Sequence, residues 1–200
     1  MKLRNQFGNI QRTAVLRTRR AAPGCRPCHA IPLILLLVLC NQSPAQTATA
    51  AQIKAAYLIN FANFVSWPSD ALGPKGAPFV ICVAGSEPVA DALDFASKGR
   101  RIDGSPIVIR RVVRKPDLQA CRILYLHGDK QGKSLLPAVT GAPTLTVGEA
   151  PNFIGQGGMI EFTLQGQRVR FDVNLAATAV ANLAISSKLL AVARVVKGGK

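Results

Sequence analysis

Acidic side chains are scarce in this chain: 10 Asp and Glu face 25 Lys and Arg across 200 residues, for a formal net charge of +15. Histidine is rarer still, at two, and there is a single tryptophan. Only His127 lies beyond residue 50, and no cysteine cluster accompanies it. That excludes the usual zinc spacings, which need several Cys or His at short fixed intervals. A G-x-S-x-G nucleophile elbow is missing. So is any apolar run approaching the roughly 20 residues of a membrane-spanning helix. No internal repeat or long low-complexity segment appears.

What is present begins with a short apolar run, residues 31–39 (IPLILLLVL), preceded by seven basic and no acidic residues. Small residues follow, with Ser43-Pro44-Ala45 and Ala48-Thr49-Ala50 as two candidate cleavage sites. This order is that of a secretory signal peptide over residues 1–50, cut near 45–50. The long basic region would be explained by a start codon assigned too far upstream. Cys40 follows Leu39, whereas lipoprotein processing sites usually carry a small residue there, which argues against lipidation. Cys25-Arg26-Pro27-Cys28-His29 matches the covalent haem pattern. It precedes the apolar run, so it is expected to be discarded with the leader.

Residues 51–200 form the expected mature domain, with a net charge of +8. Its basic stretches are Lys98-Gly99-Arg100-Arg101 and residues 110–115 (RRVVRK). Export removes nucleic acid as a partner, leaving a solvated basic face, an acidic protein surface or an anionic membrane. Cys82 and Cys121 are the only cysteines left. An even count in an oxidising compartment reads as a disulfide, the alternative being two buried free thiols.

Apolar periodicity places a helix over 51–65, with Ile53, Ala56, Tyr57, Asn60, Phe61 and Phe64 near one face and Trp67-Pro68 beyond its end. Residues 79–84 (FVICVA) are continuously apolar, as in a strand buried on both faces. Ser86 caps a helix to Phe95. Strands follow at 106–110, 122–127 and 144–147, with 131–139 helical. Gln165-Gly166 joins extended runs at 159–164 and 167–173 into a hairpin. Two helices close the chain, the last capped by Ser186. The expected class is α/β: a mixed, mostly parallel sheet flanked by helices, ending in an antiparallel hairpin and two C-terminal helices. The first and third strands are expected to be neighbours, which makes a Cys82–Cys121 bridge geometrically feasible.

No catalytic set, metal site or cofactor is expected. Gly155-Gln156-Gly157-Gly158 precedes a strand and reads as a tight turn, since a phosphate loop follows one. Ligands of such sheets lie at strand C-termini, here Ser86, Glu87, His127, Asp129 and Glu149. Ser86, His127 and Asp129 imitate a hydrolase triad without a spacing that brings them together. On the hairpin, Arg168 and Arg170 alternate with Val169 and Phe171, giving a half-exposed strand or a basic recognition strip. Asp172 and Asn174 are placed to fix the turn into the next helix. Phe61, Phe64 and Trp67 are either core or an aromatic face that docks a partner.

The chain resembles the YfiR family of periplasmic proteins. The matching pieces are 54–61 (KAAYLINF), Trp67-Pro68, 79–83 (FVICV), 121–125 (CRILY), 145–148 (LTVG), 157–162 (GGMIEF), 168–175 (RVRFDVNL) and 185–190 (ISSKLL). They cover about residues 53–196. The resemblance implies an α/β periplasmic protein that can form a homodimer and that carries the Cys82–Cys121 pair. It implies a non-enzymatic regulator that binds the periplasmic region of an inner-membrane diguanylate cyclase and represses it, lowering cyclic di-GMP and biofilm formation. An outer-membrane lipoprotein is the implied sequestering partner. A second disulfide known in the family has no cysteines here, so redox control of that kind is not expected. The other reading is a small-molecule sensor, using Ser86, Glu87, His127 and Asp129, that acts on a histidine kinase or receptor. Contacts are expected from Arg168, Arg170, Phe171 and Asn174, then Phe61 and Trp67.

Overall fold

A central strand with apolar side chains on both faces organises this molecule. The computed structural model describes residues 48–198, so Cys25, Cys28, Cys40 and the apolar run of the expected leader lie outside it. Strand β2 (Phe79–Ala84) is buried at all six positions. Because side chains alternate, Phe79, Ile81 and Val83 enter one apolar layer, and Val80, Cys82 and Ala84 enter the other.

The chain opens with α1 (Ala50–Phe61), whose first turn is closed by a reciprocal cap. Thr49 Oγ1 accepts from the Gln52 amide at 3.3 Å, and Gln52 Oε1 accepts from the Thr49 amide at 2.8 Å. The helix stops at Phe61, short of the expected 65, and Val65–Ser66 forms β1 instead. Its buried residues are Lys54, Ala55, Leu58, Ile59 and Phe61, while Ala56 and Asn60 are exposed. The expected face was thus rotated. The helix is apolar around most of its circumference, so periodicity alone could not orient it.

After β2 come α2 (Glu87–Ala96), β3 (Arg101–Ile102), β4 (Ser105–Arg111) and a 3₁₀ turn (Lys115–Leu118). Then follow β5 (Ile123–Leu126), α3 (Lys130–Leu135) with a 3₁₀ extension (Leu136–Val139), β6 (Leu145–Gly148) and a 3₁₀ turn (Ile154–Gln156). The chain ends in β7 (Ile160–Gln165), β8 (Arg168–Asn174), α4 (Leu175–Val180), β9 (Ala184–Ile185), α5 (Ser187–Leu190) and β10 (Val195–Lys197). Eight strands pair in the order β10-β8-β7-β6-β5-β2-β4-β3, and β1 with β9 forms a separate two-stranded piece. β4, β2, β5, β6 and β7 are parallel, and β7–β8 is the antiparallel hairpin. The mixed, mostly parallel α/β class read from the sequence is the observed one.

α1 and α2 pack on one face of the sheet, and α3 on the other. Tyr57 and Phe61 of α1 meet Phe162 and Phe171 of the hairpin at ring-centroid separations of 5.2–5.9 Å. β2 and β5 are neighbours, with Cys82 opposite Leu124. Cys121, just before β5, is disulfide-bonded to Cys82 across a Cα–Cα distance of 5.7 Å. From β2 the chain crosses to β4 on one side; from β5 it crosses to β6 on the other. The C-terminal ends of β2 and β5 therefore form the crevice of a doubly wound sheet.

Candidate functional site

Glu149, immediately after β6, is the hub of this edge. Its carboxylate is paired with Lys54 from α1 and meets His127 Nδ1, just past β5. The Lys54 and Glu149 side chains are only 11% and 17% exposed, whereas His127 is 44% exposed. Tyr125, in β5, is fully buried and turns its phenol towards the same carboxylate, without a hydrogen bond of ordinary geometry. Burial first, and the Glu149 charge second, hold this phenol well above its ordinary value, so it stays protonated. For Glu149, burial alone would raise the carboxyl. Lys54, Tyr125 and the nearby His127 outweigh that, and it titrates below its ordinary value. The carboxylate is therefore committed: it ties the first turns of α1 to the ends of two central strands.

The other strand-end residues are divided among separate roles. Ser86 occupies the N-cap position of α2 but makes no side-chain capping bond. Glu87 leans outward to Arg111 at 2.8 Å, beside Asp91 at 2.6 Å and Asp94 at 2.8 Å. Asp129 caps α3, with Oδ1 accepting from the Gly132 amide at 2.8 Å. Its carboxylate also fills the space where a Cβ on Gly85 would sit, and Gly85 has a left-handed φ of +81°. Thus Ser86, His127 and Asp129 share an edge but form no hydrogen-bonded relay. Asp129 is spent on the helix cap, and His127 turns to Glu149. No group of three or more His, Cys, Asp or Glu poised for a metal occurs among the described residues.

The residues expected to contact a partner separate just as clearly. Arg168 and Arg170 are exposed, opposite Gln165 and Thr163 on one face of the hairpin. Phe171 and Phe61 are 1% and 0% exposed. They are core, because period 2 turns Phe171 onto α1, and they present nothing to a partner. Asn174 is half-buried with both ends of its amide engaged: Oδ1 caps α4 through Ala177 N at 3.2 Å, and Nδ2 donates to Ile154 O at 3.0 Å. It sets the strand-to-helix turn. Trp67 is half-buried, edge-on to Phe79 at 5.2 Å. Two charged pairs escaped sequence reading. Lys54 carried a faint signal, as a basic residue within an apolar helical stretch. Asp172, expected beside Asn174 to fix the turn, is instead 4% exposed and bridged by Arg194 Nε at 2.8 Å, leaving the turn to Asn174.

Over residues 51–194 the chain matches the family model described as YfiR/HmsC-like. It belongs to the YfiR/HmsC-like family. That family is periplasmic and regulatory rather than catalytic, which gives this YfiR/HmsC-like chain a periplasmic regulatory role in general terms. Among the described residues no helix is long and apolar enough to cross a membrane. Among solved structures, a conserved domain protein from Vibrio cholerae O1 biovar eltor is similar, at 14% identity and a TM-score of 0.49. The match covers 74% of this YfiR/HmsC-like chain and 60% of the other, so the chain spans less than two thirds of that protein's length.

Proposed function

We propose that this protein is a non-enzymatic periplasmic regulator that binds the external region of an inner-membrane diguanylate cyclase and holds it inactive, lowering cyclic di-GMP and biofilm formation. The observation that carries this reading is the family match, which runs from the start of α1 to the edge of β10. Binding alone suffices for such regulation, because a protein shifts a two-state receptor by its differential affinity for the two states. The contact surface in this reading is the hairpin strip of Arg168 and Arg170, whose fixed β register suits bidentate pairing with carboxylates. An outer-membrane lipoprotein that sequesters the regulator, and a second copy of the chain, belong to the same reading.

Cellular cyclic di-GMP in a strain lacking the gene, against its parent, tests it. A rise reversed by complementation is the expected result; an unchanged level removes the cyclase as target. Arg170→Glu should weaken binding to the receptor's external domain by about tenfold while leaving folding intact, as loss of a charged hydrogen bond does. Unchanged affinity, measured by calorimetry, would move the contact elsewhere.

A second reading, a ligand sensor acting on a histidine kinase or receptor, is favoured by one feature. His127 is half-exposed at the sheet's switch-point crevice while Lys54 and Glu149 are sealed behind it.

A further inference from the structure

At the opposite, N-terminal edge of the parallel strands lies a groove of about 850 Å³, within the ~300–1,000 Å³ range of small-molecule sites. Trp67, Leu72, Phe79 and Ile102 supply apolar walls. One side is the connection from β1 to β2, punctuated by Pro68, Gly73, Pro74, Gly76 and Pro78. At 12 residues, it is at the long end for a connection without regular structure.

Arg122 is the decisive side chain. Its backbone is fixed by the sheet: its amide donates to Val80 O at 2.9 Å, and its carbonyl accepts from Leu145 N at 2.8 Å. The preceding residue is the disulfide-bonded Cys121. The root of the side chain is thus rigid, and the side chain lines the groove. Among the described residues its guanidinium forms neither a hydrogen bond nor an ion pair, although Asp103 lines the same groove. Partial burial alone draws the group below its ordinary value. Every other arginine whose pKa is shifted, Arg111 and Arg194, is raised by carboxylate partners. Trp67 serves the groove as an apolar wall, its indole N–H being buried in the protein without an acceptor. With Lys75 also lining it, the groove carries two cationic side chains against one carboxylate. The Arg122 guanidinium, partly exposed in the groove and unpaired, is free to donate to an incoming anion.

We propose that this groove binds a small organic carboxylate, its charged end paired with Arg122 and its apolar body against Trp67, Leu72 and Phe79. The planar guanidinium fork matches a carboxylate bidentately. This site is separate from the Glu149 edge and from the hairpin strip, and it does not depend on which receptor the protein regulates.

Trp67 is the sole tryptophan of the chain, so its emission reports on the groove directly. The purified protein is titrated with phenylbutyrate, and with phenylbutanol as its uncharged counterpart. The expected result is a saturable change in emission with the carboxylate and none with the alcohol. Arg122→Met should bind about tenfold more weakly by calorimetry. Arg122→Lys, which keeps the charge and loses the fork, should fall between the two. Circular dichroism establishes that each variant is folded, and if Arg122→Met is not, Arg122→Lys decides. No saturable change up to about 10 mM phenylbutyrate, equal binding of the alcohol, or undiminished affinity in the folded variant overturns the proposal.

Discussion

Glu149 shows how much of one residue's role is set by its neighbours. At neutral pH its charge balances Lys54, which is buried in α1 and has no other ion-pair partner among the described residues. Glu149→Gln leaves that ammonium uncompensated, and urea denaturation at neutral pH should show a loss of about 2 kcal/mol, less than the ~3–5 kcal/mol of a fully buried pair because both side chains keep some exposure. The pH dependence has a definite sign. The folded carboxyl titrates below its ordinary 4.5, so the native state binds its proton less readily than the unfolded chain. The stability it contributes is complete above that ordinary value and is lost as pH falls through the folded one. Stability measured across this acid range should therefore fall more shallowly in Glu149→Gln than in the wild type. At this scale the sequence was partly legible. It put His127 and Glu149 at strand ends, because the strands themselves were readable. It could not pair Glu149 with Lys54, 95 positions away, since the angular position of α1 is a product of packing.

Elements were read best where one period dominated. The run 79–84 announced a doubly buried strand, and the alternation around Gln165-Gly166 announced a hairpin; both are present. β3 and β10, of two and three residues, are too short for any period to appear, and their pairing is decided by the neighbouring strand. The glycines at 157–158 have a role that spacing could not reveal. The Phe153 ring is gripped between Gly148, at the end of β6, and Gly158: a Cβ at either position would overlap it. Gly158→Ala should cost about 1–3 kcal/mol in chemical denaturation, as overpacking of a tight interior does. Combining it with Phe153→Leu should recover part of the loss, because the two positions contact each other and their effects are coupled. Additive losses would show that the ring and the glycine are independent.

For the molecule as a whole, the class of fold and the family followed from order: strand and helix signals alternate, then a hairpin, then short helices. Binding surfaces were less legible, because an aromatic or an asparagine looks the same in sequence whether it faces solvent or the core. Phe61, Phe171 and Asn174 turned inward for that reason. The capped start of α1 bears on the two expected cleavage sites. A cut after Ala45 keeps Thr49, whereas a cut after Ala50 removes the cap, worth about 1 kcal/mol to the helix. The protein beginning at Ala51 should therefore melt lower than the one beginning at Gln46.

The buried bridge also imposes an order of events. Cys82 and Cys121 are both 0% exposed, between a central strand and the helices that cover it. An oxidant reaches them only while the chain is still open, so the bond must form ahead of final closure. A chain allowed to fold under reducing conditions would seal its thiols inside. Once formed, the bond spans 39 residues of sequence, and its loss should cost about 4 kcal/mol by loop entropy. In the native state dithiothreitol should leave it untouched for as long as the molecule stays folded, and mass spectrometry of alkylated samples should show reduction keeping pace with unfolding. The two sulfurs thus record the history of each molecule, marking whether it met an oxidising compartment before its interior closed.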